Sequence, residues 1–178
     1  MAIPTINAIG FCAHYSKQGD WAFEYALGLS KKFDKQLNVF HFLSDPYDPS
    51  DDEAAKLSHD EKEKLAVKKE KKLRLYYDSM AGDYLDVGFR VCYDKSWTEL
   101  HRCLILREFQ ILVLGYTGHN AYFANRTIEK FAESFVSPVV LVGPDNPEEY
   151  YLNKQAVLLT DKLGLENKKW SRLELEPA

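Results

Sequence analysis

The chain has 178 residues, of which 46% are hydrophobic, 13% aromatic and 28% charged. This length and composition are typical of one globular domain with a buried core and exclude a largely disordered chain. The formal net charge of −4 argues against a nucleic-acid-binding protein held by an excess of Lys and Arg. No apolar run reaches the roughly 18 residues that a membrane-spanning helix needs, so we expect no membrane association.

Two further features favour a cytoplasmic protein. Residues 1–12 carry no basic residue before their short apolar stretch, unlike a secretory signal. The three cysteines, Cys12, Cys92 and Cys103, are scattered and include no C-x-x-C pair. Reduced thiols fit this pattern better than a disulfide framework.

In the first half of the chain, short apolar runs alternate with longer amphipathic segments. Residues 6–12 are predicted as a strand, and Ser16 as the N-cap of a helix that runs to Phe33 with apolar residues every three to four positions. A second strand is predicted over 37–43 and one long helix over 53–81. The Glu- and Lys-rich middle of that helix is interpreted as a solvated face laced by Glu–Lys pairs, with a partner-binding arm as the alternative.

The second half of the chain continues the alternation. Three further strands are predicted over residues 86–93, 110–114 and 138–142. Ser96 and Glu99 have the spacing of a capping box, so we expect a helix that starts at Ser96 and runs to about residue 109. A further helix is predicted over about 126–135, after a glycine-bearing loop.

This alternation predicts an α/β fold: a doubly wound, five-stranded parallel sheet of Rossmann-like architecture with helices on both faces. In such a sheet, ligands bind outside the carboxyl ends of the strands, where the winding direction reverses. The loop after the first strand, residues 13–16, and the loop that starts at Gly115 are therefore expected to face each other across one crevice.

Three segments of the sequence resemble the universal stress protein family. Residues 8–16 are similar to the family's first strand and following loop, and residues 39–43 to its second strand. Residues 111–142, with Gly115-Tyr-Thr-Gly118 at their start, resemble its signature region most closely. The resemblance covers about residues 3–143. It implies an adenine nucleotide alpha hydrolase-like domain over residues 1–143, with a C-terminal extension over 144–178.

Nucleotide-binding members of that family hold ATP, with Mg²⁺, through Gly-x-x-Gly, nine further residues, and then Gly-Ser or Gly-Thr. The glycines let backbone N–H groups approach the phosphate oxygens. This sequence keeps both glycines of the first pair, Gly115 and Gly118, but has Asn125 and Arg126 at the Gly-Ser position. The loop from Gly118 to Asn125 is also shorter than in the family. The residues that the resemblance implies around a bound ATP are Cys12, His14, Phe42, Gly115, Thr117, Gly118, Asn125 and Arg126.

Several of these positions have two interpretations. Asn125 caps the following helix, which is the favoured interpretation, or takes part in the phosphate site. Arg126 binds a phosphate or points into solvent. His14 stands where the family has an Asp that faces the adenine. It either hydrogen-bonds a base or, as is more common for a loop imidazole, has a partner within the protein. Phe42 fills space or crowds a purine, and Cys12 is a reactive thiolate or a small buried hydrophobe.

The sequence lacks a Walker A loop, G-x-G-x-x-G, H-E-x-x-H and G-x-S-x-G, so we expect no enzyme, with weak ATP hydrolysis left open. The resemblance implies a homodimeric, non-catalytic stress-response or signalling module with a crevice for an adenine nucleotide. The alternatives are a relative that has lost ATP binding and acts only through an unidentified protein partner, and an ATP-hydrolysing enzyme.

About 34 residues follow Gly143-Pro144. Residues 146–151 have the composition of a linker, and strands are predicted over 155–160 and 170–175. One hypothesis is that this tail covers the partner subunit or an edge strand in a homodimer. The alternative is an arm that packs on its own subunit or stays loose.

Overall fold

The computed structural model describes residues 5–174, so the ends of the predicted 1–143 and 144–178 segments lie outside the described residues. The strands are β1 (Ala8–Cys12), β2 (Gln36–Phe42), β3 (Val87–Cys92), β4 (Ile111–Gly115), β5 (Tyr122–Phe123), β6 (Arg126–Thr127), β7 (Val139–Val142), β8 (Tyr150–Leu152) and β9 (Trp170–Arg172). The α-helices are α1 (Lys17–Phe33), α2 (His59–Ala81), α3 (Ser96–Ile105), α4 (Ile128–Ser134), α5 (Lys154–Val157) and α6 (Thr160–Leu163), and a 3₁₀ helix spans Glu53–Lys56. No helix among the described residues is long and apolar enough to cross a membrane.

The main sheet has the strand order β3-β2-β1-β4-β7-β8-β9. The first five strands in this order are parallel, and β1 lies between β2 and β4, so the winding direction reverses there. This arrangement confirms the doubly wound α/β fold. The sheet has seven strands rather than the predicted five, because β8 adds antiparallel to β7 and β9 adds parallel to β8.

Alternate residues of each central strand belong to two core clusters, one on each face of the sheet. In β4, Ile111 and Val113 join the cluster beneath α1 and α2, whereas Leu112 and Leu114 join the cluster beneath α3 and α4. The second cluster also contains Cys12, Cys92 and Cys103, all of them free and buried. The three cysteines that lie far apart in sequence therefore share one core.

One predicted helix start and one predicted capping box are wrong. The single helix predicted from residue 53 is divided into the 3₁₀ helix and α2. Helix α2 begins at His59, and its N-cap Ser58 forms a capping box with Glu61. At the predicted capping box, Ser96 is already inside α3; the N-cap is Lys95, whose side chain makes no capping hydrogen bond. A capping box needs its serine on the extended residue before the helix, and that position is occupied by Lys95.

The tail forms part of the domain. Residues 150 and 151, the end of the predicted linker, belong to β8, and the strand predicted over 155–160 is wrong because this stretch lies in α5, α6 and the turn between them. Of the strand predicted over 170–175, residues 170–172 form β9, residues 173 and 174 are not strand, and residue 175 lies outside the described residues. Asn153 joins these elements: its Oδ1 accepts from the backbone N–H groups of Val139 and Ala156, and its Nδ2 donates to the carbonyls of Ala132 and Ser137.

Candidate functional site: the crevice between β1 and β4

The two loops expected to share a crevice do lie next to each other. They leave the carboxyl ends of β1 and β4, which are paired neighbours in the sheet. In the first loop, the His14 Nδ1 lies 2.7 Å from Ser16 Oγ, and that oxygen accepts a hydrogen bond from the Gly19 N–H at the start of α1. The prediction that Ser16 is the N-cap of α1 is confirmed, and the same residue holds the His14 ring.

Tyr47 occupies the space between these loops. Its ring centroid lies 4.0 Å from that of His14, and its hydroxyl donates to the Gly115 carbonyl at 3.1 Å. The edge of the ring also meets Phe123, 4.9 Å between centroids. Burial raises the pKa of Tyr47, so the hydroxyl stays protonated and serves as the hydrogen-bond donor to the Gly115 carbonyl. A side chain of the chain itself thus fills the crevice.

The loop that carries Tyr47 is fixed by its own hydrogen bonds. The carboxylate of Asp45 accepts from the Tyr47 backbone N–H at 2.9 Å, and the Asp45 N–H donates to Asp51 at 2.8 Å. The Pro46 carbonyl accepts from the Ala124 N–H at 2.9 Å, which ties the loop to the β5–β6 hairpin. Tyr47 is therefore held in place from both sides rather than left free to swing out.

A buried carboxylate lies beneath the loop that was predicted to hold phosphates. Glu129 accepts hydrogen bonds from the Tyr116 hydroxyl and, at 2.9 Å, from the Asn120 backbone N–H. His119 Nδ1 lies 3.3 Å from the same carboxylate. An arriving phosphate would meet this negative charge, and one of the loop's N–H groups is already used.

The two predicted loop glycines have different surroundings. A Cβ on Gly115 would lie 2.9 Å from the backbone of Gln18 and of Gly19, so this glycine lets the first turn of α1 pack against the end of β4. Gly118 has open space around it, and together with Thr117 it is half-buried. The requirement for a glycine at position 115 thus comes from packing within the protein.

Two predicted site residues lie in the core. Phe42 is 1% exposed and Cys12 fully buried, both within the cluster beneath α3 and α4. Burial raises the pKa of the Cys12 thiol, which favours the protonated, unreactive form.

Asn125 and Arg126 lie in the β5–β6 hairpin, Asn125 in its turn and Arg126 in β6. Asn125 has a positive φ of 73° and accepts a hydrogen bond from the Tyr122 hydroxyl. The prediction that Asn125 caps α4 is wrong, because Thr127 is the N-cap. The Arg126 guanidinium lies 3.8 Å from the ring centroid of Trp97, a contact that no pattern in the sequence predicts.

These hairpin residues line a separate groove of about 640 Å³ near the carboxyl ends of β2 and β3. Its charged lining residues are of both signs: Asp45, Asp48, Asp51, Asp52, Lys62, Asp94, Lys95 and Arg126. Among residues 5–174, no group of three or more His, Cys, Asp or Glu side chains is arranged to hold a metal ion. The predicted site residues are therefore divided between the filled crevice, the core and this groove.

Comparison with known proteins gives matches to solved structures only. No family model and no curated protein matches the chain. A universal stress family protein from Burkholderia pseudomallei is similar to it, with 15% identity, a TM-score of 0.49, and coverage of 78% of this chain and 96% of that chain. Universal stress proteins are among the solved structures similar to this chain.

Two other solved structures are also similar. One is a macrolide-efflux protein from Streptococcus pneumoniae, with 16% identity, a TM-score of 0.47, and coverage of 81% of this chain and 55% of that chain. The other is a universal stress protein in complex with cAMP, with 13% identity, a TM-score of 0.37, and coverage of 62% of this chain and 76% of that chain. These likenesses concern the fold alone.

Sequence reasoning missed Tyr47, the residue that defines the crevice. It lies in the Pro- and Asp-rich turn after β2, where no periodic pattern marks a buried side chain. A partial signal was present: Asp45 two residues before Tyr47 has the form of an Asx turn, which favours an ordered loop. That signal does not show where the ring points.

Proposed function

We propose that this chain is a non-catalytic interaction module with a universal-stress-protein-like fold that works without a bound nucleotide. The observation that carries the proposal is Tyr47, which lies between His14 and Gly115 where a nucleotide would have to enter. The stress-response role is part of the proposal and follows from the resemblance of the sequence.

The energetics of the crevice support this proposal. A purine would have to displace the Tyr47 ring, losing one hydrogen bond worth about 1 kcal/mol. It would also expose an aromatic ring whose burial contributes roughly 2 kcal/mol. The combined loss of about 3 kcal/mol would weaken a nucleotide about a hundredfold relative to an open crevice. The Glu129 carboxylate beneath the Gly115–Gly118 loop adds repulsion toward phosphate oxygens.

The absence of catalysis is proposed on the chemistry of the candidate groups. Cys12 is buried, and its raised pKa disfavours the nucleophilic thiolate. His14 is held against Ser16 and Tyr47, and burial lowers its pKa. Cys12 lacks the exposure that attack on a substrate requires, and the half-buried His14 ring is already in contact with Ser16 and Tyr47.

A thermal-shift titration with MgATP and with cAMP tests the proposal. A ligand that binds the native state at 100 times its Kd raises stability by about 2.7 kcal/mol, so real binding gives a clear rise in Tm. We expect no rise for the wild-type protein at about 5 mM nucleotide. A nucleotide-dependent rise in wild-type Tm would overturn the proposal.

Two variants show whether Tyr47 is responsible. Tyr47→Gly removes the ring from the crevice, and Tyr122→Gly removes a tyrosine from the β5–β6 hairpin as a matched control. If either nucleotide raises the Tm of Tyr47→Gly alone, the crevice is a nucleotide site that Tyr47 closes. If neither variant responds, the exclusion of nucleotide does not depend on the Tyr47 ring alone.

A further inference from the structure

Strand β3 forms one edge of the main sheet and has an unpaired side. It spans six residues and pairs only with β2. At the opposite edge, β7 is covered by β8, and the outermost strand β9 has three residues. Across residues 5–174, β3 is therefore the longer of the two sheet edges, and its unpaired backbone can accept another strand.

The hydrogen bonds to β2 show which groups of β3 point outward. The Asp86 and Cys92 carbonyls accept from the N–H groups of Leu37 and Leu43, so the even-numbered residues direct their backbone toward β2. The backbone groups of the odd-numbered residues, Leu85, Val87, Phe89 and Val91, consequently face away from β2. In the described part of the chain none of these four makes a hydrogen bond across that side.

The usual devices that protect an edge strand are missing from β3. It contains no proline, and its pairing with β2 runs without a bulge over the whole strand. Its one charged residue, Arg90, is ion-paired with Glu108 of the same chain. Just before the strand, Leu85 is 91% exposed. A mostly apolar edge without a bulge or a proline is a template for pairing.

We propose that two copies of this chain join through an antiparallel pairing of β3 with β3, about a two-fold axis at Gly88. In this register Val87 lies opposite the partner's Phe89, and because both have outward-facing backbone groups they form a hydrogen-bonded pair. Leu85 lies opposite the partner's Val91 in the same way, which covers its exposed side chain. By symmetry each pairing occurs twice.

Charge complementarity selects this register over its neighbours. With the axis at Gly88, Asp86 lies opposite the partner's Arg90 on the same face of the sheet, twice over. Shifting the axis to Val87 or Phe89 puts Asp86 opposite a Gly or a Cys instead. An axis placed midway between two residues would pair odd-numbered residues with even-numbered ones. The backbone groups of the even-numbered residues face β2, so the inter-chain hydrogen bonds would be lost. Arg90 can keep Glu108 and bind a second carboxylate, because its guanidinium presents five donors.

The first test is the oligomeric state of the full-length protein by sedimentation velocity and light scattering over a dilution series. We expect a dimer that Asp86→Lys weakens at least tenfold, because the new Lys faces the partner's Arg90. Asp83→Lys makes the same charge change at an exposed position before the strand and should leave the dimer intact. A wild-type monomer throughout, or a dimer unaffected by Asp86→Lys, would overturn the proposal.

The second test reads the register. A mixture of the Asp86→Cys and Arg90→Cys variants is expected to form an inter-chain disulfide with an added oxidant, since residues directly opposite in a non-hydrogen-bonded pair come within about 4.5 Å. Each variant alone should not cross-link, because its own copies lie four residues out of register. Of the native cysteines, Cys92 lies in β3 itself and is buried, so both variants are made on a Cys92→Ala background that removes this competing thiol. Cross-linking of either variant alone would exclude the Gly88-centred pairing.

Discussion

His41 is expected to make the free energy of unfolding fall as the pH drops below neutral. Its side chain is 8% exposed, and Nδ1 has no hydrogen-bond partner in the described structure. Burial, followed by the charges of Lys69 and Lys72, lowers the pKa of His41 from 6.5 to about 4. Between these two values the unfolded chain binds a proton that the folded protein does not, so folding is favoured by the higher pH.

The size of the effect follows from the two pKa values. A gap of about 2.5 pH units corresponds to about 3 kcal/mol of unfolding free energy. This stability is fully present above pH 6.5, decreases as the pH falls, and is lost once the pH is below about 4. Against a total stability of roughly 5–15 kcal/mol, the loss is large enough to measure.

Urea denaturation at a series of pH values between about 7.5 and 4.5 is the assay. His41→Phe keeps an aromatic ring against Tyr15 but removes the titration, so its stability should vary with pH less steeply than that of the wild type. Carboxylates titrate in both proteins and cancel in the comparison. His59→Gln, at a side chain 76% exposed, is the control and should retain the wild-type slope. Parallel pH curves for wild type and His41→Phe would refute the reasoning.

Three further predictions concern packing and capping. Gly115→Ala should lower the unfolding free energy by about 2 kcal/mol, because the new Cβ would press on the first turn of α1. The control Gly118→Ala should lower it by less than about 0.5 kcal/mol, since that position has open space. Equal losses in chemical denaturation would contradict the packing role of Gly115. Asn153→Ala should lower the unfolding free energy by about 3 kcal/mol and speed hydrogen exchange in β8, because its buried hydrogen bonds are lost. Unchanged exchange in β8 would show that other contacts hold the tail in place. Ser58→Ala should lower the thermal-unfolding free energy by about 1 kcal/mol and Ser96→Ala leave it nearly unchanged, and the reverse order would disprove the helix starts described above.

The parallel part of the fold could be predicted because its strands are buried on both faces. Residues 111–114 are all apolar, and they lie in β4 with Leu112 and Val113 facing opposite clusters. Amphipathic helices such as α1 also leave a clear period in the sequence, and its cap at Ser16 was identified correctly. These signals are local and strong, so the element order followed from them.

The tail shows where local signals end. Strand β8 has three residues, too few for a period, and its partner β7 decides its structure. A strand is predicted over 155–160, yet Asn153 caps a helical turn at this point and also bonds to β7, to α4 and to the loop between them. These tertiary hydrogen bonds override the β-propensity of the run.

The candidate site was predictable as a location but not in its contents. The strand order brings the loops of His14 and Gly115 together, as the doubly wound pattern required. Which side chain fills the space depends on the path of the loop after β2, and turn residues fix that path only locally. The distance from Tyr47 to His14 therefore had to come from the structure.

The most direct measurement of the central claim is an NMR experiment on the His14 and Tyr47 rings. With their centroids 4.0 Å apart, the two side chains should show ring-to-ring NOEs in the free protein, and these should persist unchanged when MgATP is added. Loss of these NOEs on addition of MgATP, with new NOEs from the His14 ring to the adenine protons, would contradict the account.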